Sequence, residues 1–101
     1  MKRWSVYIVR CGDGTLYTGI ALDVRRRIAQ HAKAAGDGAK YLRGRGPLRL
    51  VLTRRVGTRS GALRVEHRIK RLPRMRKEEL VVKAGKRSPL ARRIFSMQAR
   101  G

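Results

Sequence analysis

Hydrophobic and polar positions alternate first with a short period and then with a longer one. Residues 4–11 (Trp-Ser-Val-Tyr-Ile-Val-Arg-Cys) and 15–20 (Thr-Leu-Tyr-Thr-Gly-Ile) are rich in β-branched and aromatic types, and Gly12-Asp13-Gly14 separates them. This pattern predicts a β-hairpin with Tyr7 and Tyr17 on adjacent antiparallel strands, their hydroxyls directed to one face. The period then lengthens. Val24, Ile28, His31 and Ala35 fall on one arc of a helical wheel, with Asp23 as N-cap and Gly36 as the stop. His31 lies inside that arc, and Arg27 lies on its border. Leu48, Leu50 and Leu52 alternate with Arg49, Val51 and Thr53, which predicts a third strand with one buried face. Thr58 or Ser60 caps the next helix, lined by Ala62, Val65, Ile69 and Leu72, with Glu66 beside the stripe. Pro73 ends that helix or starts another, and residues 74–83 form a further short helix. Beyond Gly85, Pro89, Leu90, Ile94 and Phe95 allow a last amphipathic turn or two.

The order β-β-α-β-α-α implies an α+β fold, a small three-stranded antiparallel sheet flanked by helices. Residues 1–85 are expected as one domain and residues 86–101 as a basic C-terminal tail or short helix. Residues 36–47 hold four Gly, a Pro and three cations and read as loop, with at most a helical turn over Ala39 to Arg43.

Composition changes this picture in one respect. The chain has 101 residues, enough for one modest core, and 27 Lys and Arg against six acids, a net charge of +21. Self-repulsion on that scale opposes compaction, and a bound polyanion relieves it. Nucleic acid is the expected partner, DNA first. If about five phosphates of a duplex are contacted, log K falls with log salt with a slope near −4.5. Lys40, Tyr41, Arg43 and Arg45 are the expected nucleic-acid-binding segment, with Tyr41 able to stack on an unpaired base. A membrane-surface protein would need a long amphipathic helix with aromatic residues on its apolar face, whereas Trp4 and Phe95 stand at opposite ends of the chain. Cys11 is the sole cysteine, so neither an intrachain disulfide nor a cysteine-based zinc site is possible. A cytoplasmic monomer is the default expectation.

Tyr7, Tyr17, Arg27, His31 and Glu66 supply two phenols, a fixed cation, an imidazole and a carboxylate able to hold a metal ion. Phosphodiester cleavage needs an activated water, neutralised phosphoryl oxygens and help for the leaving oxygen. Each residue alone has a plainer explanation. The tyrosines can be half-buried strand residues, His31 a core histidine, and Glu66 an i,i+4 partner of Lys70 worth roughly 0.3–0.5 kcal/mol. Glu66, however, is the only acid between Asp37 and Glu78, and it flanks the apolar stripe of a strongly basic helix.

The ordered set Tyr7, Tyr17-x-Gly19, Arg27, His31, Glu66 resembles the GIY-YIG nuclease superfamily, and most closely its small stand-alone bacterial members. The resemblance runs over roughly residues 4 to 80 and includes Tyr7-Ile8-Val9-Arg10-Cys11, Asp13-Gly14-Thr15-Leu16-Tyr17-Thr18-Gly19-Ile20, Lys40-Tyr41 and Ala62-Leu63-x-x-Glu66. It implies a metal-dependent phosphodiester hydrolase. Tyr7 and Tyr17 match the motif tyrosines, Gly19 a structural turn, Arg27 the catalytic arginine, and His31 a position held by His or Tyr. Glu66 matches the single carboxylate for Mg²⁺ or Mn²⁺. Val6 and Thr18 depart from the triplets, Ile20 stands where some relatives have Lys, and Glu78 stands where some have Asn. The general base stays open between Tyr7, Tyr17 and His31.

The expected function is thus a divalent-metal-dependent endonuclease acting on structured or damaged DNA, with a place in DNA repair. The alternative is a non-catalytic basic binder of DNA or RNA that keeps the fold.

Overall fold

The computed structural model describes residues 3–32, 47–83 and 89–95, without the side chains of residues 31 and 32. Strands β1 (Trp4–Arg10), β2 (Leu16–Ala21) and β3 (Arg49–Gly57) form one antiparallel sheet in the order β2-β1-β3. Helices α1 (Val24–Ala32), α2 (Arg59–Lys70), α3 (Arg74–Val82) and α4 (Pro89–Phe95) flank it. The α+β architecture expected from the pattern is therefore present, with a fourth helix.

β1 is central because its residues can be buried on both sides. Val6, Tyr7, Ile8 and Val9 are all almost wholly excluded from solvent, the uninterrupted apolar run of a strand covered on two faces. The β1–β2 turn is closed by Cys11 N donating to Thr15 O at 2.8 Å and Gly14 N to Cys11 O at 2.9 Å. Gly14 adopts φ +88°, which a Cβ would disfavour. Asp13 Oδ1 accepts from Thr15 N and Oγ1 at 3.1 and 2.6 Å, the local side-chain turn that aspartate favours.

Successive residues of β1 point to opposite faces. Val6 and Ile8 join Leu52, Val65, Ile69, Leu80 and the apolar side of α4 in the larger core. Tyr7, Val9 and Cys11 join Ala21, with Tyr17, Val24, Ile28 and Leu48 packed around them. The sheet thus separates a core under α2 and α4 from a smaller one under α1.

The leucine alternation of β3 does not fall on one face. A register irregularity lies between Ile8 and Val9, which pair with Leu52 and Leu50. The extra residue, Val51, breaks the period of two. Leu52 therefore enters the larger core, Leu48 packs in the smaller one, and Leu50 is 38% exposed.

Candidate active site

Helix caps fix where the polar candidates stand. Asp23 caps α1: its Oδ1 accepts from Arg26 N and its carbonyl from Arg27 N, both at 3.1 Å. Val24 and Ile28 then face the sheet, and Arg27 emerges one turn into the helix, exposed. Thr58 caps α2 by accepting from Gly61 N at 3.1 Å. Ala62, Val65 and Ile69 are buried in that helix, which leaves Glu66 on the border of the buried stripe, its side chain 17% exposed.

The strand register does the rest. Tyr7 is paired with Gly19 and Val9 with Tyr17. Tyr7 and Tyr17 are therefore diagonal neighbours on the α1 face, as expected of the hairpin. Gly19 is not a turn residue. It lies inside β2, and its φ is not positive. A Cβ built there would stand 2.6 Å from Tyr7 Oη and 2.7 Å from Cζ. Gly19 is needed because the Tyr7 ring fills the space that a Cβ would occupy, a close approach that no local sequence signal distinguishes from a turn.

Tyr7 is the centre of the arrangement. Burial raises its phenol from about 10 to about 12; Tyr17 and Glu66 act in the same direction, and Arg27 opposes them. All three act on one hydroxyl through space, so Tyr7, Tyr17, Arg27 and Glu66 share a single electrostatic neighbourhood. Tyr7 is accordingly a protonated phenol at neutral pH, fit to donate a hydrogen bond. Because its folded value lies above its unfolded one, its contribution to stability is complete below pH 10 and lost as pH rises through about 12. Spectrophotometric titration should show one tyrosine ionising near 12, together with loss of the folded circular-dichroism signal.

The α1 end opens into a cleft of about 890 Å³ that includes Arg27, Arg25, Arg26, Trp4, Leu22 and Leu50. Arg59 lies over the Trp4 ring at 5.6 Å. The Glu66 carboxylate has Lys70 Nζ at 3.5 Å, so the helical pair exists as well. Among the described residues no group of three or more His, Cys, Asp or Glu converges. The Glu66 carboxylate is a hard oxygen donor of the kind a divalent cation takes together with several waters. His31 stands in the last turn of α1, and its side chain lies outside the described residues. Lys40, Tyr41, Arg43 and Arg45 also lie outside them.

One cluster escaped the sequence pattern. Arg10 donates to both oxygens of Glu78, Nη1 to Oε2 at 3.0 Å and Nη2 to Oε1 at 2.6 Å. Arg10 and Arg74 both donate to Gly14 O at 3.3 Å. The end of β1, the hairpin turn and α3 are thereby tied together. The partners are 68 residues apart, so no spacing rule could have joined them. Glu78, which stands where some relatives have Asn, is committed to this clamp. The hydrogen bonds from Arg10 hold its carboxyl below the usual range. Its folded value is depressed, so its contribution is present above about pH 4.3 and lost as pH falls through the lower folded value. Glu78→Gln should lower stability by about 1 kcal/mol or less at pH 7, since the pair is partly solvated. Urea midpoints should converge with the wild type at strongly acidic pH, and a constant gap would show that the charge is irrelevant.

Residues 3–79 match the GIY-YIG catalytic domain, and the chain belongs to that family. GIY-YIG nucleases are generally divalent-metal dependent and act on nucleic acid. The UPF0213 protein of Cronobacter sakazakii is 54% identical over 81 residues, covering 80% of this chain and 83% of that one. The UPF0213 protein of Citrobacter koseri is 53% identical over 81 residues, covering 80% and 79%. The solution NMR structure of the UPF0213 protein BH0048 from Bacillus halodurans is 50% identical, with a TM-score of 0.52, covering 79% of this chain and 83% of that one. Among the described residues no helix is long and apolar enough to cross a membrane.

Proposed function

We propose that this protein is a divalent-metal-dependent endonuclease that hydrolyses phosphodiester bonds in DNA, with structured or damaged DNA as its substrate. The observation that carries this reading is the Tyr7 hydroxyl, buried in contact range of Gly19 and within electrostatic reach of Tyr17, Arg27 and Glu66. A purely structural tyrosine has no need of a second phenol, a guanidinium and a carboxylate around it.

Each side chain has a role that its surroundings support. Arg27, exposed beside the cleft, neutralises charge on the phosphoryl oxygens. Tyr7, protonated, donates a hydrogen bond to a phosphoryl or leaving oxygen. Tyr17, less buried, is the better placed of the two phenols to orient or deprotonate the attacking water, and His31 is the other candidate for that proton. Glu66 would hold the Mg²⁺ or Mn²⁺, which when bound supplies Lewis-acid stabilisation of the transition-state charge. The Lys70 ammonium lies against the same carboxylate, so an ion held there would compete with it.

The Glu66–Lys70 pair is also what favours the second reading, a non-catalytic DNA or RNA binder in which Glu66 serves the helix. The two are separated by incubating end-labelled branched, single-stranded and duplex DNA with the protein in Mg²⁺, Mn²⁺ or EDTA. Metal-dependent products support the nuclease and reveal which DNA it prefers. Salt-sensitive binding without cleavage in every condition supports the binder.

A further inference from the structure

A second cleft lies on the other side of the sheet, between α2, α3 and α4, with a volume of about 980 Å³. Its floor is apolar, from Leu72, Leu90 and Ile94. Its walls carry Arg68, Arg71, Arg76, Lys83 and Arg93 against one acid, Glu79. Glu79 is shared by two of these, with Arg76 Nη1 at 2.9 Å and Lys83 Nζ at 3.8 Å. Arg68 and Arg71 of the α2 end and Arg93 of α4 have no acidic partner among the described residues.

Cations on the last turn of a helix gain a few tenths of a kcal/mol from its dipole, up to about 1. That accounts for Arg68 and Arg93 being basic, but not for their facing the same cleft. Like charges converging across a groove repel, and side chains on any other face would serve the dipole equally well. Guanidiniums lining an apolar-floored groove match a sugar-phosphate strand, whose phosphates take bidentate contacts while its sugars cover the floor. The helix that closes the groove, α4, lies beyond residues 3–79 and so outside the part matched by the family's catalytic domain.

We propose that this cleft is a second nucleic-acid contact surface, holding the phosphate backbone of a DNA segment on the face opposite Tyr7, with Arg68, Arg71 and Arg93 as its phosphate ligands. The inference rests on DNA being the partner but not on cleavage.

The test is binding of a fluorescein-labelled duplex in EDTA, followed by anisotropy across a salt series. Arg68→Gln/Arg71→Gln/Arg93→Gln is compared with a control of equal charge, Arg49→Gln/Lys77→Gln/Arg92→Gln, whose positions line neither cleft. Each phosphate contact contributes about 0.9 to the log–log salt slope. The cleft variant should lower the slope by about 2 to 3 and weaken binding about tenfold or more at low salt, with the control near wild type. Equal loss in both variants, or no loss in the first, overturns the proposal. Should the cleft variant unfold, phenylglyoxal labelling of the wild-type protein decides: DNA should protect Arg68, Arg71 and Arg93, and unprotected labelling at all three overturns it. Because EDTA suppresses metal-dependent cleavage, absence of nuclease activity would leave this result intact, and the reverse also holds.

Discussion

Glu66→Gln is expected to lose about a thousandfold or more in cleavage rate while DNA binding stays within about twofold. The arithmetic is direct. A catalytic metal ion supplies several kcal/mol of transition-state stabilisation, and about 4 kcal/mol is roughly a factor of a thousand. Gln keeps the shape of the side chain and removes the charge that would hold the ion. Stability should hardly change. The ion pair with Lys70 is long, at 3.5 Å, and its lysine is 52% exposed, so its loss costs roughly 0.3–0.5 kcal/mol at most. The melting curve and the rate therefore separate the two readings of this residue. A variant with normal turnover would remove Glu66 from the chemistry and leave it a helix partner. Tighter binding of DNA by a few tenths of a log unit would not count against the proposal, because one negative charge has gone.

Gly19→Ala is expected to damage both fold and activity. The added methyl would lie 2.6 Å from Tyr7 Oη, 2.7 Å from Cζ and 3.1 Å from Cε1. The first two are shorter than real Cβ contacts and the third is tight, so the ring must move. Tyr7 is only 1% exposed and is packed among Val9, Cys11 and Ala21, which leaves it little room. Overpacking of this kind costs typically 1–3 kcal/mol. The displaced hydroxyl would also leave its position relative to Arg27 and Glu66, so cleavage should fall by more than the loss of folded protein explains. Tyr7→Phe on the Gly19→Ala background makes the test specific. Removing the nearest clashing atom should recover stability in part, and activity not at all. Wild-type stability in Gly19→Ala would show that the strand can part from the ring, and that the close approach is not required.

The positions of Tyr7, Tyr17, Arg27 and Glu66 on their elements were legible in the sequence because they are held by local devices. Alternation and the Gly-Asp-Gly turn specify the hairpin. Asp23 and Thr58 specify where α1 and α2 begin, and hence that Arg27 and Glu66 stand on the borders of apolar stripes. Helical periodicity alone sets the angle of such a side chain to the stripe, whatever the helix packs on.

What local pattern could not carry are the relations between distant segments. Gly19 reads as a turn, because a glycine in a strand and a glycine in a bend look alike until the residue opposite is known; the register that pairs it with Tyr7 makes it a cradle. The leucines of β3 read as one face, because alternation assumes an unbroken ladder; pairing with β1 introduces the irregularity that divides them. Arg10 and Glu78 read as two of many charges until the chain folds and brings them to 2.6 Å.

The sequence by itself determined the order of elements, the net charge of +21 and the residue types available for chemistry, because these depend on composition and on periods of two and 3.6. The tertiary structure alone decided the rest. It set Tyr7 against Gly19, with Tyr17, Arg27 and Glu66 acting electrostatically on its phenol, and it brought α4 against α2 to line a second basic cleft. Contact between residues far apart in the chain is chosen by burial of the whole apolar surface at once, and no short segment contains that information.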